Sequence, residues 1–287
     1  MQRTKFYIAE GSIKAFFKAN SKKVYSFDHL ETIFYENRVN WNIPVYMNPY
    51  KFIDRLISWG VLKKNKLEFE GYLNDKELYI ANDASIFQIA VAVVNKAYLS
   101  HFSAAFIHNL TTQIPKTVYI TFEQGKKVQR NILIEQKAID NAFSKPTKVS
   151  GTKTVIDDYT LLIHNGMFTN RIGVYNIDDI PVTNIERTLI DITVRPNYAG
   201  GVFSVLEIYR NAIERVSINK LMAILDSISF TYPFHQAIGF YLEKAGWEEN
   251  KLSHLKSRKM VFDFYLAHGM EEKEYSSTWR IYYPKGM

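Results

Sequence analysis

A chain of 287 residues that is 47% hydrophobic and 23% charged has an ordinary globular composition, can bury a sizeable core and is long for one compact unit. It contains no cysteine, which excludes disulfides, thiolate nucleophiles and zinc–thiolate sites together. The net charge of +7 is unevenly spread: residues 1–70 hold twelve Lys or Arg against seven acids, so the first quarter is the candidate footprint for a polyanion.

The first twenty residues spread their charges and lack an apolar core with a small-residue cleavage site, so no secretory signal is expected. The longest apolar run, Ile86 to Val94, contains Gln88 and is too short for a membrane span. The expected location is the cytoplasm, with no membrane partner.

Three helical patterns open the chain. Ile13, Phe16 and Phe17 mark the first, and Phe27, Leu30 and Phe34 behind a Ser26 cap mark the second. The third has Asn48 as N-cap, Pro49 at its first position and an apolar stripe of Phe52, Ile53, Leu56 and Ile57 that ends at Gly60. Its other face carries Tyr50, Lys51, Asp54, Arg55 and Ser58. The run "VLKKNKLEFEGYLNDKELYI" then reads as two strands divided at Gly71 and Asn74-Asp75.

Three helices followed by a basic hairpin is the order of a winged helix-turn-helix, in which the third helix enters the major groove. Tyr50, Lys51, Arg55 and Ser58 are then the reading face, and Lys63, Lys64 and Lys66 lie along phosphates. The alternative is an interaction module whose lysines are merely solvated. The segment "ENRVNWNIPVYMN" between the second and third helices exceeds the usual turn length, so Trp41 and its neighbours are expected to form an inserted loop.

From about Asn82 the pattern changes. Asp83 or Ser85 caps a helix through "SIFQIAVAVVNKA", and Ser100 caps another in "YLSHFSAAFIHNL". Thr117 to Phe122 alternates as a strand, with "QRNILIEQ" as its expected partner, and "TLLIHNGMF" and "RIGVYNI" add two more strands. Thr183 and Glu186 form a capping box ahead of the stripe Ile185, Leu189 and Ile192, with Pro196, Gly200 and Gly201 as stop signals. Arg187 and Asp191 are one turn apart on another face, an ion pair of little weight if exposed.

The remaining constellations are weaker. Glu123, Glu135 and Lys137 imitate the acid, then acid-x-lysine, layout that holds a divalent metal for phosphodiester cleavage, provided that both acids lie on adjacent strands. His101 and His108 share a helical face but are roughly 10 Å apart along the axis, too far for one ion, and are expected to be hydrogen-bonded structural histidines. The distal "NKLSHLKSRK", with Lys251, His254, Lys256, Arg258 and Lys259, reads as a basic turn or as a surface for RNA or an acidic protein.

The stretches "YLSHFSAAFIHNLTTQIPKTVYIT", "IPVTNIERTLIDITVRPNYAGG", "FDFYL" and "WRIYYPKGM" together resemble the C-terminal domain of the AbiEi family of abortive-infection antitoxins. The resemblance covers essentially the whole chain and is strongest from Tyr98 to Gly201. It implies an α+β protein with an N-terminal winged helix-turn-helix over residues 1–80 and a mixed α/β antitoxin domain over residues 81–287. It further implies a type IV antitoxin that represses its own operon by binding inverted repeats in promoter DNA. The implied second partner is a nucleotidyltransferase-like toxin, counteracted directly or indirectly. Neither a cofactor nor a metal nor an enzymatic activity is implied, and Arg187, Asp191, Arg195 and Tyr198 become the expected antitoxin surface.

Overall fold

The computed structural model of the chain describes residues 5–126 and 134–287. Its first third runs α1 (Lys5–Ala19), β1 (Val24–Tyr25), α2 (Phe27–Asn37), α3 (Pro49–Ser58), β2 (Leu62–Leu67) and β3 (Lys76–Ala81). The Ser26 hydroxyl caps α2 by accepting from the His29 amide at 3.3 Å, and the Asn48 side chain caps α3 by accepting from the Lys51 amide at 2.9 Å. Both caps fall where the sequence places them. The three strands form an antiparallel sheet in the order β1-β3-β2.

Strand alternation gives this sheet two buried faces. Tyr25, Leu62, Tyr79 and Ala81 pack with Ile13, Leu30, Phe34, Phe52 and Leu56 of the helices. Val24, Leu67, Leu78 and Ile80 point the other way and join a second core with residues of the larger sheet. The loop between α2 and α3 is folded onto the first core rather than hanging free. Trp41, Ile43 and Met47 are buried in it, Trp41 stacks on Phe52 at 5.9 Å between centroids, and the Arg38 guanidinium donates to the carbonyls of Pro44 and Val45 at 3.1 and 2.8 Å.

The chain continues through α4 (Ile86–Ala92), β4 (Tyr98–Leu99), α5 (His101–Ile107), β5 (Thr117–Glu123), α6 (Gln136–Phe143), β6 (Lys153–Ile156), β7 (Tyr159–Gly166), β8 (Val174–Ile177), β9 (Ile180–Thr183) and α7 (Ile185–Val194). The six strands form one mixed sheet in the order β6-β7-β5-β4-β9-β8, with β5 parallel to β7 and β4 parallel to β9. A 3-10 turn over Pro196–Ala199 leads into α8 (Val202–Ala212), α9 (Ile218–Ile228), α10 (Phe234–Lys244) and α11 (Glu249–Lys256). A small sheet of β10 (Phe264–Tyr265), β11 (Lys273–Ser276) and β12 (Ile281–Pro284) closes the chain and packs with the helices around the buried Trp279. The architecture is mixed α+β, and among the described residues no helix is long and apolar enough to cross a membrane.

Three local expectations are corrected. Thr183 ends β9 and bonds the Thr188 hydroxyl at 2.8 Å, so Asn184 takes the cap of α7 by accepting from the Arg187 amide at 2.8 Å. Glu186 does not reach back along its helix. Its carboxylate accepts from the Ser217 amide at 3.2 Å and meets Lys220 Nζ at 2.9 Å. Glu135 is the N-cap of α6 and Lys137 lies in that helix, so the end of "QRNILIEQ" is helical; residues 129–133 of it lie outside the described residues. The basic distal segment is α11 for most of its length, and Arg258 beyond it forms a two-pronged pair with Asp226 at 2.7 Å on each arm.

Candidate functional site

Helix α3 displays the polar face that its sequence pattern requires. Phe52, Ile53 and Leu56 are buried, while Tyr50, Lys51, Asp54, Arg55 and Ser58 are exposed. Lys51, Arg55 and Ser58 follow one another at spacings of four and three residues, which aligns them along one side of the helix. Tyr50 at the helix start is 66% exposed even though its ring rests 4.7 Å from that of Phe27. The Ser58 hydroxyl donates to the Arg55 carbonyl at 2.9 Å, closing the last turn.

The three hairpin lysines are not equivalent. Alternation along β2 puts Lys64 and Lys66 on one side and Lys63 on the other. Lys64 Nζ is 2.8 Å from Glu77, and Lys66 Nζ is 2.9 Å from Glu68 and 3.5 Å from Asp75, whereas Lys63 makes no ion pair among the described residues. The tip of the hairpin is docked on the larger sheet. Glu70 exchanges backbone hydrogen bonds with Lys153 at 2.9 and 3.2 Å, and the Thr154 hydroxyl donates to the Glu68 carbonyl at 2.7 Å. Gly71, at a φ of 100°, sits so close to Thr152 that an added Cβ would meet its backbone at 2.8 Å. A row of three free phosphate-contacting lysines is therefore not what the hairpin offers.

The expected antitoxin surface is largely interior. Arg187 and Asp191 are 5% and 8% exposed and Tyr198 is 1% exposed, while Arg195 is half-buried with its guanidinium over the Tyr198 ring. Arg187 Nε donates to Asp191 at 2.7 Å, and Nη1 donates to the Thr169 hydroxyl at 3.1 Å and the Ile172 carbonyl at 2.9 Å. Burial pushes the Asp191 carboxyl up, and the guanidinium beside it opposes that rise.

Glu123 anchors the same loop from the opposite side. Its carboxylate accepts from the Thr169 amide at 2.9 Å, the Arg171 amide at 3.1 Å, the Tyr98 hydroxyl at 3.2 Å and the Thr169 hydroxyl. Burial alone would raise this carboxyl, but the donors outweigh it and hold it below the usual range. These bonds account for Glu123 as a loop anchor. With Glu135 at a helix start and Lys137 within the helix, the adjacent-strand layout needed for metal-dependent cleavage is not formed. Among the described residues, no group of three or more His, Asp or Glu is placed to hold a metal.

Beside the Arg187 pair lies a small cavity of about 50 Å³ whose lining includes His101, Thr121, His164, Arg187, Asp191 and Arg195 together with the apolar Met167, Val194 and Phe230. The Ser100 hydroxyl bridges His101 Nδ1 at 2.8 Å and Thr121 at 2.7 Å, and the rings of His101 and His164 meet edge to face at 5.7 Å. Burial, with Arg195 nearby, pushes His164 down to about 4 and His101 well below its ordinary value, so both are neutral near pH 7. His108 is separate from them, its Nε2 2.6 Å from the Thr183 carbonyl. Sequence reading missed His164 and Tyr119 as members of this cluster, because their association follows from pairing of β5 with β7 and has no local signal.

No protein-family model matches the chain, and no curated protein matches it. Among solved structures, the chain is similar in fold to the RV2827C protein from Mycobacterium tuberculosis, with a TM-score of 0.57 at 12% identity over 96% of this chain and 91% of that one. The match runs over nearly the whole of both chains, so the likeness is one of overall fold.

Proposed function

We propose that this chain is a cytoplasmic DNA-binding autorepressor and antitoxin of a bacterial type IV toxin–antitoxin pair, with no enzymatic activity of its own. What carries the reading is α3, a capped ten-residue helix whose buried stripe faces the first core and whose outer side presents Tyr50, Lys51, Arg55 and Ser58. The order α1-β1-α2-α3-β2-β3 with strands β1-β3-β2 supports the winged helix-turn-helix reading, in which the third helix enters a major groove. The charge excess of the first 70 residues supplies the sequence-independent attraction.

In this reading α3 contacts base edges, Lys63 contacts the backbone, and Lys64 and Lys66 do so only by exchanging their carboxylate partners for phosphate. Residues 1–80 are the regulatory domain and residues 81–287 the antitoxin domain that counteracts a nucleotidyltransferase-like toxin. The antitoxin assignment rests on the AbiEi resemblance of the stretches around Tyr98 to Gly201. Because Arg187, Asp191 and Tyr198 are buried, their role there is to hold the domain's shape, with Arg195 the most accessible of the four.

Two readouts in a bacterial host test the two halves. A reporter driven by the DNA upstream of the gene should be silenced by the protein and released by Lys51→Ala/Arg55→Ala. Co-expression should restore growth to cells making the toxin encoded beside it. A reporter indifferent to the protein removes the repressor half, and unrelieved growth arrest removes the antitoxin half.

A further inference from the structure

A cavity of about 680 Å³ forms a cleft between the first sheet and the larger one. One wall is the β1 segment with Lys22 and Lys76 of β3; the other is the end of α4 with Asn95 and Lys96, and the β8–β9 hairpin with Asn176. None of the α3 residues lines it.

Its charge is uncompensated. Five cations line the cleft, Lys22, Lys23, Lys76, Lys96 and Arg171, against a single acid, Asp179. Lys23 is held by Asp83 at 2.9 Å, but Lys22, Lys76, Lys96 and Arg171 make no ion pair among the described residues. Elsewhere several lysines are paired, Lys64, Lys66, Lys153, Lys251 and Lys256 among them, although, among the described residues, Lys63 is not. Concave low-dielectric walls concentrate such a field on an anion. The position of Lys96 is fixed from behind, since the Arg171 guanidinium donates to its carbonyl and stacks over the Tyr98 ring at 5.3 Å.

The cleft also offers more than charge. Its floor includes Leu78, Val91, Ala92 and Pro181, and the side-chain amides of Asn95 and Asn176 stand at its edge without a hydrogen-bond partner among the described residues. Partial desolvation lowers Lys22 from its ordinary value, a cost that an anion in contact with it would relieve. A volume of this size suits a ligand of drug or nucleotide size. We propose that this cleft binds a phosphorylated small molecule of nucleotide size, its phosphates on Lys22, Lys76 and Lys96 and its base on the apolar floor within reach of Asn95 and Asn176.

Calorimetric titration of the full chain with ATP and GTP, with adenosine, with inorganic triphosphate and with a short single-stranded oligonucleotide tests this. The expected result is binding of a nucleoside triphosphate at micromolar to submillimolar concentration, with adenosine far weaker. Lys22→Ala/Lys96→Ala should weaken it by a factor of about ten or more while Lys51→Ala leaves it unchanged. Unchanged melting temperatures of the ligand-free variants verify that both remain folded. Absence of nucleotide binding up to millimolar concentration, equal affinity in the double variant, triphosphate alone binding as tightly as the nucleotide, or binding of the oligonucleotide only would each overturn the proposal. Since α3 is untouched, failure here leaves the DNA reading standing, and the converse also holds.

Discussion

Arg187 and Asp191 face each other one helical turn apart, 2.7 Å between Nε and Oδ1, with both side chains inside the protein. In sequence this spacing suggests a weak surface pair. The fold turns it into a buried clamp, because Arg187 also donates to Thr169 and Ile172 and so ties α7 to the loop that Glu123 holds from β5.

Breaking that clamp on one side leaves a charge buried without its partner. Asp191→Ala or Arg187→Ala is expected to cost about 3–5 kcal/mol, whereas Arg187→Ala/Asp191→Ala together cost less than the sum of the single changes. Urea denaturation of the four proteins measures this. Additive losses would mean that the pair acts as two independent residues.

A second prediction concerns pH. His164 is pushed down to about 4 when folded, against about 6.5 when unfolded, so between those values the unfolded chain binds the proton that the folded chain refuses. Stability is unaffected by this group above about 6.5, falls as pH drops through the interval and loses at most about 3 kcal/mol by its end. His101, displaced in the same direction, adds to the loss. His164→Asn should flatten the difference between melting at pH 7 and at pH 5. An unchanged slope would remove His164 from the account.

Gly239 supplies a third. An added Cβ in α10 would lie 2.0 Å from the ring of the buried Trp279. Gly239→Ala is expected to destabilise by about 2–3 kcal/mol or more, despite alanine's better helix propensity. A neutral or stabilising result by thermal melting would show that the Trp279 ring moves aside freely.

What the sequence made legible was mostly local. The caps at Ser26 and Asn48, the stripe of α3, and the strands at Thr117 and Tyr159 all follow from patterns within a few residues. The inserted loop was visible as excess length, although its packing through Trp41 was not. The failures share a cause, which is that long-range pairing outranked local pattern. Thr183 is claimed by β9, so the cap shifts to Asn184 and Glu186 turns towards Lys220. Glu135 starts a helix, which dissolves the strand-based cleavage layout. The exposed-surface reading of Arg187, Asp191 and Tyr198 failed because helix periodicity marks which residues share a side and not which side meets another layer. Neither the cationic cleft nor the His101–His164 contact has any contiguous signature, since each gathers residues separated by more than sixty positions.

The central claim is that α3 reads DNA, and its most direct measurement is equilibrium binding to the protein's own upstream DNA and to a scrambled duplex across a salt series. Wild type and Lys51→Ala/Arg55→Ala, matched for folding by circular dichroism, are compared at each salt concentration. The account predicts tighter binding to the upstream duplex, affinity that falls steeply with salt, and a variant that loses the sequence preference while its salt slope, set by phosphate contacts outside α3, changes little. Equal, weak binding of both duplexes by both proteins would contradict it.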